Sequence, residues 1–579
     1  MRRIRTQLAQ TKLLLPFLTV TLSTETLTTT HLQPPNPIRI AWIALKELTR
    51  FLALLLPGFL ALFLIVRAFV NGHVSDITFA LWLLVIQGLS LLVPNPVTET
   101  RTDRKALLIK LAALLPAILL LFPLTVVVLI FGELDTAAFV FHLAFGIGGT
   151  PLGEFAPYIA TVTIYWVAIL ITLYRLRKWL RRIPFWWSLC CVSLIAGNPL
   201  VRDVLFNQFQ AKYSRGESLI TAFQDPALIA PTEGENPDLI ILYLEGMERT
   251  YGIKDSFGAI YAPIERLAKS GVSFSDVAQI DGTGWSLAGM TATQCGMPLM
   301  PMGSLPLNRT ADMKKIGAGV TCLTDILNAR GYHSTYASTT EIIGSDRGHY
   351  GFDNFYRTHQ LDQIVDKANA MTPGAIAARE AGDTSWALRD GEGYAIALAH
   401  VEERLKSDQP YALILSTMDT HGPKAHMSDQ CVTDGQPKVS DDLTDAVVCT
   451  SKLTETFIAE LRELTKHRNT RIVVASDHLA HHNNLSPQLD QHPRRNMVMF
   501  LNGPEAPRVI DKPAAMPDVF PTLLHWLGWL DSGAPQAAGI GTSLLHDPAT
   551  LIETFGIDGV NDRLRRDVEL AAKFWHSAP

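Results

Sequence analysis

Long apolar stretches dominate the first third of the chain, and a mixed polar and apolar pattern follows it. Between Phe51 and Val201 charges are sparse, whereas charged residues, Gly, Pro and His return from Arg202 onward. A helix needs roughly 17 to 25 apolar residues to cross a bilayer core of about 30 Å. Five stretches have this length and predict five membrane spans: Phe51–Val70, Ile77–Val93, Ala106–Phe131, Tyr158–Tyr174 and Phe185–Val201.

One further apolar segment, Ala137–Gly149, is short and rich in glycine. Its length falls below that of a span, so the pattern favours a re-entrant or interfacial hairpin. A sixth span is the alternative. Near the start, the run Leu13–Leu22 resembles a signal peptide, but no convincing small-residue cleavage site follows it, and a misassigned start codon is the other explanation.

The basic residues between the predicted spans decide their orientation. Lys and Arg are frequent before the first span, in 101–105 and in 175–182, whereas 71–76 and 132–157 contain neither. Because cytoplasmic loops carry the excess of Lys and Arg, five spans satisfy the positive-inside rule at every loop. The sequence therefore predicts a multi-pass protein of a bacterial inner membrane, with 1–50 in the cytoplasm, 51–201 as the anchor and 202–579 in the periplasm.

The exported part has the pattern of an α/β domain. Residues 202–237 predict an interfacial helix and a linker, and 238–579 the catalytic domain. Short apolar runs bounded by turn residues alternate with helical stretches, which favours a mixed, mostly parallel central sheet covered on both faces. The predicted core strands are Leu239–Leu244, Tyr411–Ser416, Arg471–Ala475 and Met497–Leu501; the predicted helices include Ile264–Ser270, Ser286–Gln294 and Ser451–Lys466.

Cysteine positions agree with an oxidising compartment for this domain. The spacing of its four cysteines suggests two local disulfides, Cys295–Cys322 and Cys431–Cys449. Four unrelated buried thiols are the alternative. Cys190 and Cys191 lie in the fifth predicted span, where the sequence favours simple packing roles.

Candidate metal ligands follow two of the predicted strands. Glu245 comes directly after the first strand, and Asp477 and His478 come after the strand that ends near Ala475. Ligands of parallel α/β sheets bind beyond the carboxyl ends of the strands. Carboxylate oxygens and a neutral imidazole suit Mn²⁺, Mg²⁺ or Zn²⁺. Each residue alone is a weak signal, because a lone Glu after a strand is more often a solvated loop residue.

A candidate nucleophile lies in the glycine-rich segment Asp281–Met290. Its glycines permit close approach of the backbone to a ligand, and Ser286 opens a predicted helix whose free N–H groups favour a phosphate. A hydroxyl at this point is suited to ligate a metal and attack phosphorus. The alternative is that Ser286 is only the N-cap of the helix, and the local sequence does not separate the two roles.

Taken together, these segments resemble the phosphoglycerol transferases of osmoregulated periplasmic glucans. More broadly, the chain resembles the lipoteichoic acid synthase and phosphoethanolamine transferase group of the alkaline phosphatase superfamily, which has a five-span anchor and a sulfatase-like domain. The motifs occur in the expected order and cover most of residues 238–530. They are Leu244–Tyr251, Gly282–Met290, Cys295–Leu299, Ser476–Ala480 and Asp518–Leu524.

The resemblance implies a role for each matching residue. Four of them would hold one divalent metal, for which we expect Mn²⁺, with Mg²⁺ and Zn²⁺ as alternatives: Glu245, Ser286, Asp477 and His478. Ser286 would also be the nucleophile, although the family usually has threonine there. His421 matches a histidine that contacts the transferred phosphate, and without the family it would be interpreted as a loop histidine.

Further substrate contacts are implied less specifically. Trp285 adjoins the nucleophile, and Arg347 and His349 lie where relatives place head-group contacts. An exposed polar loop explains Arg347 and His349 equally well. His481 and His482 have no counterpart in the family pattern, and we assign them to the acceptor side or to solvent.

The implied reaction is transfer of phosphoglycerol from phosphatidylglycerol to a periplasmic glucan through a phosphoseryl enzyme, releasing diacylglycerol. The alternative is phosphoethanolamine transfer to lipid A or another periplasmic glycan. A sulfatase needs Pro and Arg after its nucleophile, and Ser286–Met290 lacks both. A membrane interaction protein without activity would have no reason to keep these residues. The net charge of −5 and the absence of a Gly-Lys-Ser/Thr loop give no basis for nucleic-acid or nucleotide partners.

Overall fold

The structure is a computed structural model of the 579-residue chain. The chain forms two compact units, Met1–Ala53 and Leu54–Pro579, and all elements below belong to the second. The structure describes the following residues: 42, 56–65, 75–90, 104–131, 135–145, 152–180, 192–203, 205, 217–226, 235–300, 315–342, 349–371, 387–422, 424–432, 438–530 and 536–575.

The apolar helices that the structure describes before the catalytic region include Leu56–Ile65, Ser75–Ser90, Arg104–Phe131, Thr136–Phe145 and Leu152–Leu180. Among the described residues, one stretch, Phe155–Thr172, is long and apolar enough to cross a membrane, judged by length and composition. Its mean hydropathy is 1.7, and three other apolar helical stretches are shorter. The five-span anchor is therefore not confirmed and stays a prediction; Cys190 and Cys191 lie outside the described residues.

Short and long helices alternate with strands in the catalytic region. The α-helices are Lys254–Phe257, Ala262–Ala268, Ser286–Cys295, Leu323–Ala329, Phe352–Thr358, Lys367–Ala370, Asp390–Arg404, Leu443–Leu464, Ser486–Leu489, Val519–Trp526, Leu551–Leu564 and Val568–Trp575. The strands, β1 to β13, are Asp238–Leu244, Val272–Ala278, His333–Ser338, Gln363–Val365, Tyr411–Ser416, Ala425–His426, Val439–Ser440, Thr470–Ser476, Asn496–Leu501, Arg508–Ile510, Ala514–Ala515, Ala537–Ala538 and Gly541–Thr542.

Nine of these strands form one mixed, mostly parallel sheet, as the sequence predicts. The strand order is β10-β2-β9-β8-β1-β5-β3-β4, with β11 also paired to β2. Strand β9 runs antiparallel to both of its neighbours, β8 and β2, and the other pairs are parallel. The four predicted core strands form as β1, β5, β8 and β9, each end within one residue of its predicted position.

Burial on both faces explains why the central strands are apolar without interruption. Every residue of β1 is buried, and alternate residues point into two different hydrophobic clusters. Tyr243 belongs to the cluster on one face and Leu242 to the cluster on the other. Successive side chains of a strand point to opposite faces of the sheet. A strand in a sheet that is buried on both faces therefore needs apolar residues at every position.

Both predicted disulfides are present. Cys295 is bonded to Cys322, and Cys431 to Cys449. Cys295 is the last residue of the helix that begins at Ser286, so the first disulfide ties the far end of that helix to Cys322, which precedes the helix Leu323–Ala329.

Candidate active site

Two parallel strands bring the predicted metal ligands to the same edge of the sheet. Strands β1 and β8 are neighbours, and their last paired residues are Leu244 and Ser476. Glu245 follows the first of these residues and Asp477 the second. The strand register alone therefore places the carboxylates of Glu245 and Asp477 side by side, although the two residues lie far apart in the chain.

Glu245, Asp477 and His478 form a compact cluster, here called the Glu-Asp-His cluster. The Nε2 atom of His478 lies 3.2 Å from Oε1 of Glu245 and 3.5 Å from Oδ2 of Asp477. One ligand atom from each residue lies within 4.8 Å of the others. The residues are only 3%, 2% and 1% exposed, so the charges face one another away from solvent.

Ser286 brings its hydroxyl to this cluster. Its Oγ donates a hydrogen bond to Oε2 of Glu245 over 3.2 Å and lies 3.5 Å from Nε2 of His478. Trp285 occupies the N-cap position, and Ser286 is the first helical residue. Ser286 is therefore not the N-cap of its helix, and its hydroxyl faces the carboxylate and the imidazole.

A glycine allows the Ser286 helix to approach the cluster so closely. A Cβ atom placed on Gly289 would lie 1.6 Å from the backbone oxygen of Asp477. Since real Cβ atoms do not come this close to a carbonyl oxygen, only glycine fits at this position. The glycine three residues after Ser286 is thus explained by helix packing against the strand that delivers Asp477.

The buried charges shift one another's pKa. Burial alone would raise the pKa of Glu245, but His478 and His421 outweigh it and hold that pKa well below its usual range. Burial and the charge of Glu245 raise the pKa of Asp477 to about 7. Burial disfavours the protonated form of His478, yet Asp477 and Glu245 raise its pKa to about 10. Without a metal, this cluster therefore retains protons at neutral pH.

The cluster also fits a divalent cation. The Nδ1–H of His478 donates to the backbone oxygen of Leu479 over 2.6 Å, which leaves Nε2 as the ligand nitrogen. One oxygen of Asp477 accepts the backbone N–H groups of Gly246 and His478, over 3.0 and 2.9 Å, and leaves the other oxygen facing inward. Two buried carboxylates and one neutral imidazole are a donor set typical of Mn²⁺, Mg²⁺ or Zn²⁺.

Two further histidines lie near the cluster. His421 follows β5, and its Nδ1 is 2.6 Å from the backbone oxygen of Gly422. The ring of His481 lies 4.5 Å from that of His478 and 6.4 Å from that of His421. His482 is exposed. The only sequence signal for His481 was its position three residues after His478. Because the family pattern has no counterpart of His481, there was no reason from the sequence to place it at the cluster.

The remaining predicted contacts have different outcomes. Trp285 is buried beside Ser286, with its ring 5.9 Å from Phe141 of the short helix Thr136–Phe145. Arg347 lies outside the described residues. His349 opens the short 3₁₀ turn His349–Gly351, and only its backbone is described. A contact of Arg347 or His349 with substrate stays a prediction.

Comparison with known proteins gives relatives that are named phosphoglycerol transferase I. The chain is 27% identical over 429 residues to phosphoglycerol transferase I of Xanthomonas campestris, which covers 72% of this chain and 59% of the relative. It is 30% identical over 288 residues to phosphoglycerol transferase I of Citrobacter koseri, covering 48% and 36%. The chain thus spans about 59% of the length of the Xanthomonas relative.

Comparison with solved structures gives more distant matches. The lipoteichoic acid synthase LtaP of Listeria monocytogenes is 16% identical, with a TM-score of 0.43 over 59% of this chain and 91% of that one. A family model described as Sulfatase matches residues 237–529, just over half of the 579 residues, and this range contains every member of the Glu-Asp-His cluster as well as Ser286. The chain belongs to the sulfatase family.

Proposed function

We propose that this protein transfers the phosphoglycerol head group of phosphatidylglycerol to a periplasmic glucan through a covalent intermediate on Ser286. The observation that carries the proposal is the hydroxyl of Ser286 within 3.2 Å of Glu245 and 3.5 Å of His478 at the start of a helix. The relatives named phosphoglycerol transferase I support the choice of head group. The missing Pro and Arg after Ser286 argue against sulfate ester hydrolysis.

The first step is attack of Ser286 on the donor. A bond forms between Oγ and phosphorus while the bond from phosphorus to the diacylglycerol oxygen breaks. The proton that the Ser286 hydroxyl loses is matched by the proton that the departing oxygen gains, so diacylglycerol leaves with no net gain or loss of protons. We assign His421, whose Nδ1 donates to the backbone oxygen of Gly422 over 2.6 Å, to contact with a phosphate oxygen or the leaving oxygen.

The Glu-Asp-His cluster provides the ligands for a divalent metal that would assist this chemistry. Glu245, Asp477 and His478 would bind one divalent metal, which supplies positive charge that lowers the pKa of the Ser286 hydroxyl and draws electron density from the phosphate. The free N–H groups at the start of the Ser286 helix add a partial positive charge beside the phosphate. Burial strengthens each of these interactions because little water screens them.

The second step returns the enzyme to its starting state. A glucan hydroxyl attacks phosphorus, its bond to phosphorus forms, and the bond to Oγ breaks. The sugar proton ends on Ser286, so atoms balance over the cycle. Burial and the nearby His478 lower the pKa of His481 well below its usual value, so His481 supplies a neutral imidazole beside His478. We assign it to the acceptor side.

Intact mass measurement tests the proposal. The full chain in detergent is incubated with Mn²⁺ and phosphatidylglycerol without an acceptor, and we expect the mass of one phosphoglycerol to be added to Ser286, with release of diacylglycerol. Ser286→Ala should gain no mass and release none, whereas Ser286→Thr should retain substantial activity. Addition of phosphoethanolamine from phosphatidylethanolamine would establish the alternative donor. Undiminished diacylglycerol release by Ser286→Ala would overturn the mechanism.

A further inference from the structure

A short apolar helix from outside the matched family region packs beside the candidate nucleophile. In the helix Thr136–Phe145, Phe141 is 1% exposed, and its ring lies 5.9 Å from that of Trp285. A Cβ atom on Gly351 would lie 2.9 Å from Phe141, so the turn His349–Gly351 also closes onto this helix. Since Trp285 precedes Ser286, the short apolar helix forms part of the wall next to the reacting hydroxyl.

The next residue, His142, places a polar ring in this otherwise apolar contact. Its ring centre is 6.2 Å from that of Trp285 and 6.0 Å from that of Tyr350, both in edge-on arrangements. The Nδ1 atom of His142 is shielded from solvent and has no hydrogen-bond partner among the described residues. The same holds for Nε1 of Trp285. Two neighbouring rings thus share one environment, each with a buried nitrogen that makes no hydrogen bond within the described part of the chain.

Such nitrogens suit a ligand that carries hydrogen-bonding oxygens. An indole N–H can only donate, and a buried donor without a partner is costly. An imidazole accepts or donates according to its tautomer. The surrounding rings of Phe141 and Tyr350 favour a ligand that is otherwise apolar. A molecule with ester or hydroxyl oxygens on a hydrocarbon body meets both conditions.

The position in the chain indicates which part of the donor lies here. The short apolar helix ends at Phe145, and the helix Leu152–Leu180, which contains the candidate membrane span, begins seven residues later. The diacylglycerol part of the donor stays with the membrane, whereas the transferred head group goes to a soluble acceptor. The leaving-group side of the site therefore belongs next to the membrane-associated segment.

We propose that His142 and Trp285 together bind the ester and glycerol oxygens of the diacylglycerol part of the lipid donor. The inference rests on the proposed function, and it assigns to the short apolar helix a direct share in donor recognition. The chemistry of the pair selects a glycerolipid rather than a bare phosphodiester. It does not select the head group.

The test compares two donors in the full chain. One is phosphatidylglycerol in detergent micelles, and the other is the phosphodiester of glycerol with p-nitrophenol, which has no diacylglycerol. For His142→Phe, which keeps a flat ring but loses both nitrogens, the ratio of kcat/KM for the lipid to that for the soluble diester should fall about tenfold, the effect of one lost hydrogen bond. His142→Gln, which regains a donor, should restore part of the ratio.

A matched variant and a binding measurement separate the outcomes. Phe139→Leu, on the same short apolar helix, should leave the ratio within about twofold of the wild type, since it exchanges one apolar side chain for another. In the Ser286→Ala chain, radiolabelled diacylglycerol in micelles should bind about tenfold more weakly when His142→Phe is added. Equal diacylglycerol binding with and without His142→Phe overturns the inference. A wild-type chain that binds diacylglycerol but consumes neither donor instead overturns the proposed function.

Discussion

At the scale of single residues, the site depends on which ligand atoms remain free to face inward. The bond from His478 to the Leu479 carbonyl and the two N–H bonds to Asp477 each occupy one atom and leave the other facing the position proposed for the cation. Such bonds fix the orientation of metal ligands. A side chain of the same charge without these hydrogen bonds would not have one ligand atom fixed in the inward orientation.

Protons and metal should compete for the Glu-Asp-His cluster. The raised pKa values of Asp477, about 7, and His478, about 10, mean that both groups retain protons below pH 7 when no metal is bound. Metal binding displaces these protons, so affinity should rise with pH from about 6 to about 8, with about two protons released below pH 7 and about one above. Calorimetry with Mn²⁺ in buffers of different ionisation enthalpy measures the released protons.

A second buried carboxyl offers a control for that experiment. Burial also raises the pKa of Asp518 to about 7, but Asp518 bonds to the backbone of Ala515 and Thr542 rather than to the cluster. Asp518→Asn should therefore leave the proton release on metal binding unchanged. An affinity that does not vary between about pH 6 and pH 8 would contradict the assigned ligands.

At the scale of elements, an ion pair between Glu248 and the half-buried Arg494 connects the two loops that carry the proposed metal ligands. Glu248 is fully buried, and Nε of Arg494 donates to both of its oxygens over 3.1 Å. Arg494 also donates to the backbone oxygen of Ala480 over 2.6 Å, and the N–H of Ala480 donates to Glu248 over 3.3 Å. The pair thus joins the loop after β1 to the loop after β8.

Arg494→Lys should weaken metal binding while the protein still folds. Lysine keeps the charge but loses the planar, two-pronged contact, so the loops shift and Mn²⁺ affinity should fall about tenfold to a hundredfold. Arg495→Lys is the matched control, because Arg495 pairs with Asp276 outside the cluster. Calorimetric titration compares both variants with the wild type. An unchanged affinity in Arg494→Lys would show that the ion pair contributes only to folding.

The two disulfides should differ in their effect on activity. Replacing Cys295 and Cys322 by alanine should destabilise the domain by about 3 kcal/mol and also slow transfer, because this bond holds the far end of the Ser286 helix. Replacing Cys431 and Cys449 should lower the melting temperature with a smaller effect on transfer, since neither cysteine belongs to the Ser286 helix. Thermal unfolding and diacylglycerol release measure the two effects. Equal loss of activity in both double variants would contradict this difference.

At the scale of the whole molecule, the distribution of charge predicts sidedness. In a chain with Cys190 and Cys191 replaced by alanine, a cysteine at Arg101 or Arg177 should not react with an impermeant maleimide added to intact cells. A cysteine at the exposed Lys406 should react, because 202–579 are predicted to be periplasmic. Labelling is measured by gel shift before and after membrane permeabilisation. Labelling of Arg177→Cys in intact cells would reverse the predicted topology.

The apolar pattern along the chain was sufficient to predict the central strands, because burial on both faces leaves a continuous apolar run in the sequence. Strands buried on both faces must be apolar throughout, so β1 and β8 were found within one residue of their ends. The helix Leu443–Leu464 begins eight residues before its predicted start, since Asp442 caps it by accepting from Thr444. That cap lies in a polar stretch that the apolar pattern does not mark.

The sequence by itself determined the α/β class, four core strands and the candidate ligands that follow two of them, because apolar runs and the residues after them are local features of the chain. It also indicated both disulfide pairs from the spacing of the cysteines. The tertiary structure alone decided that Ser286 faces Glu245 and is not the helix cap. It also decided that His481 lies against His478 and His142 against Trp285. These contacts depend on strand order and helix packing, which join residues far apart in the chain and leave no periodic trace in it.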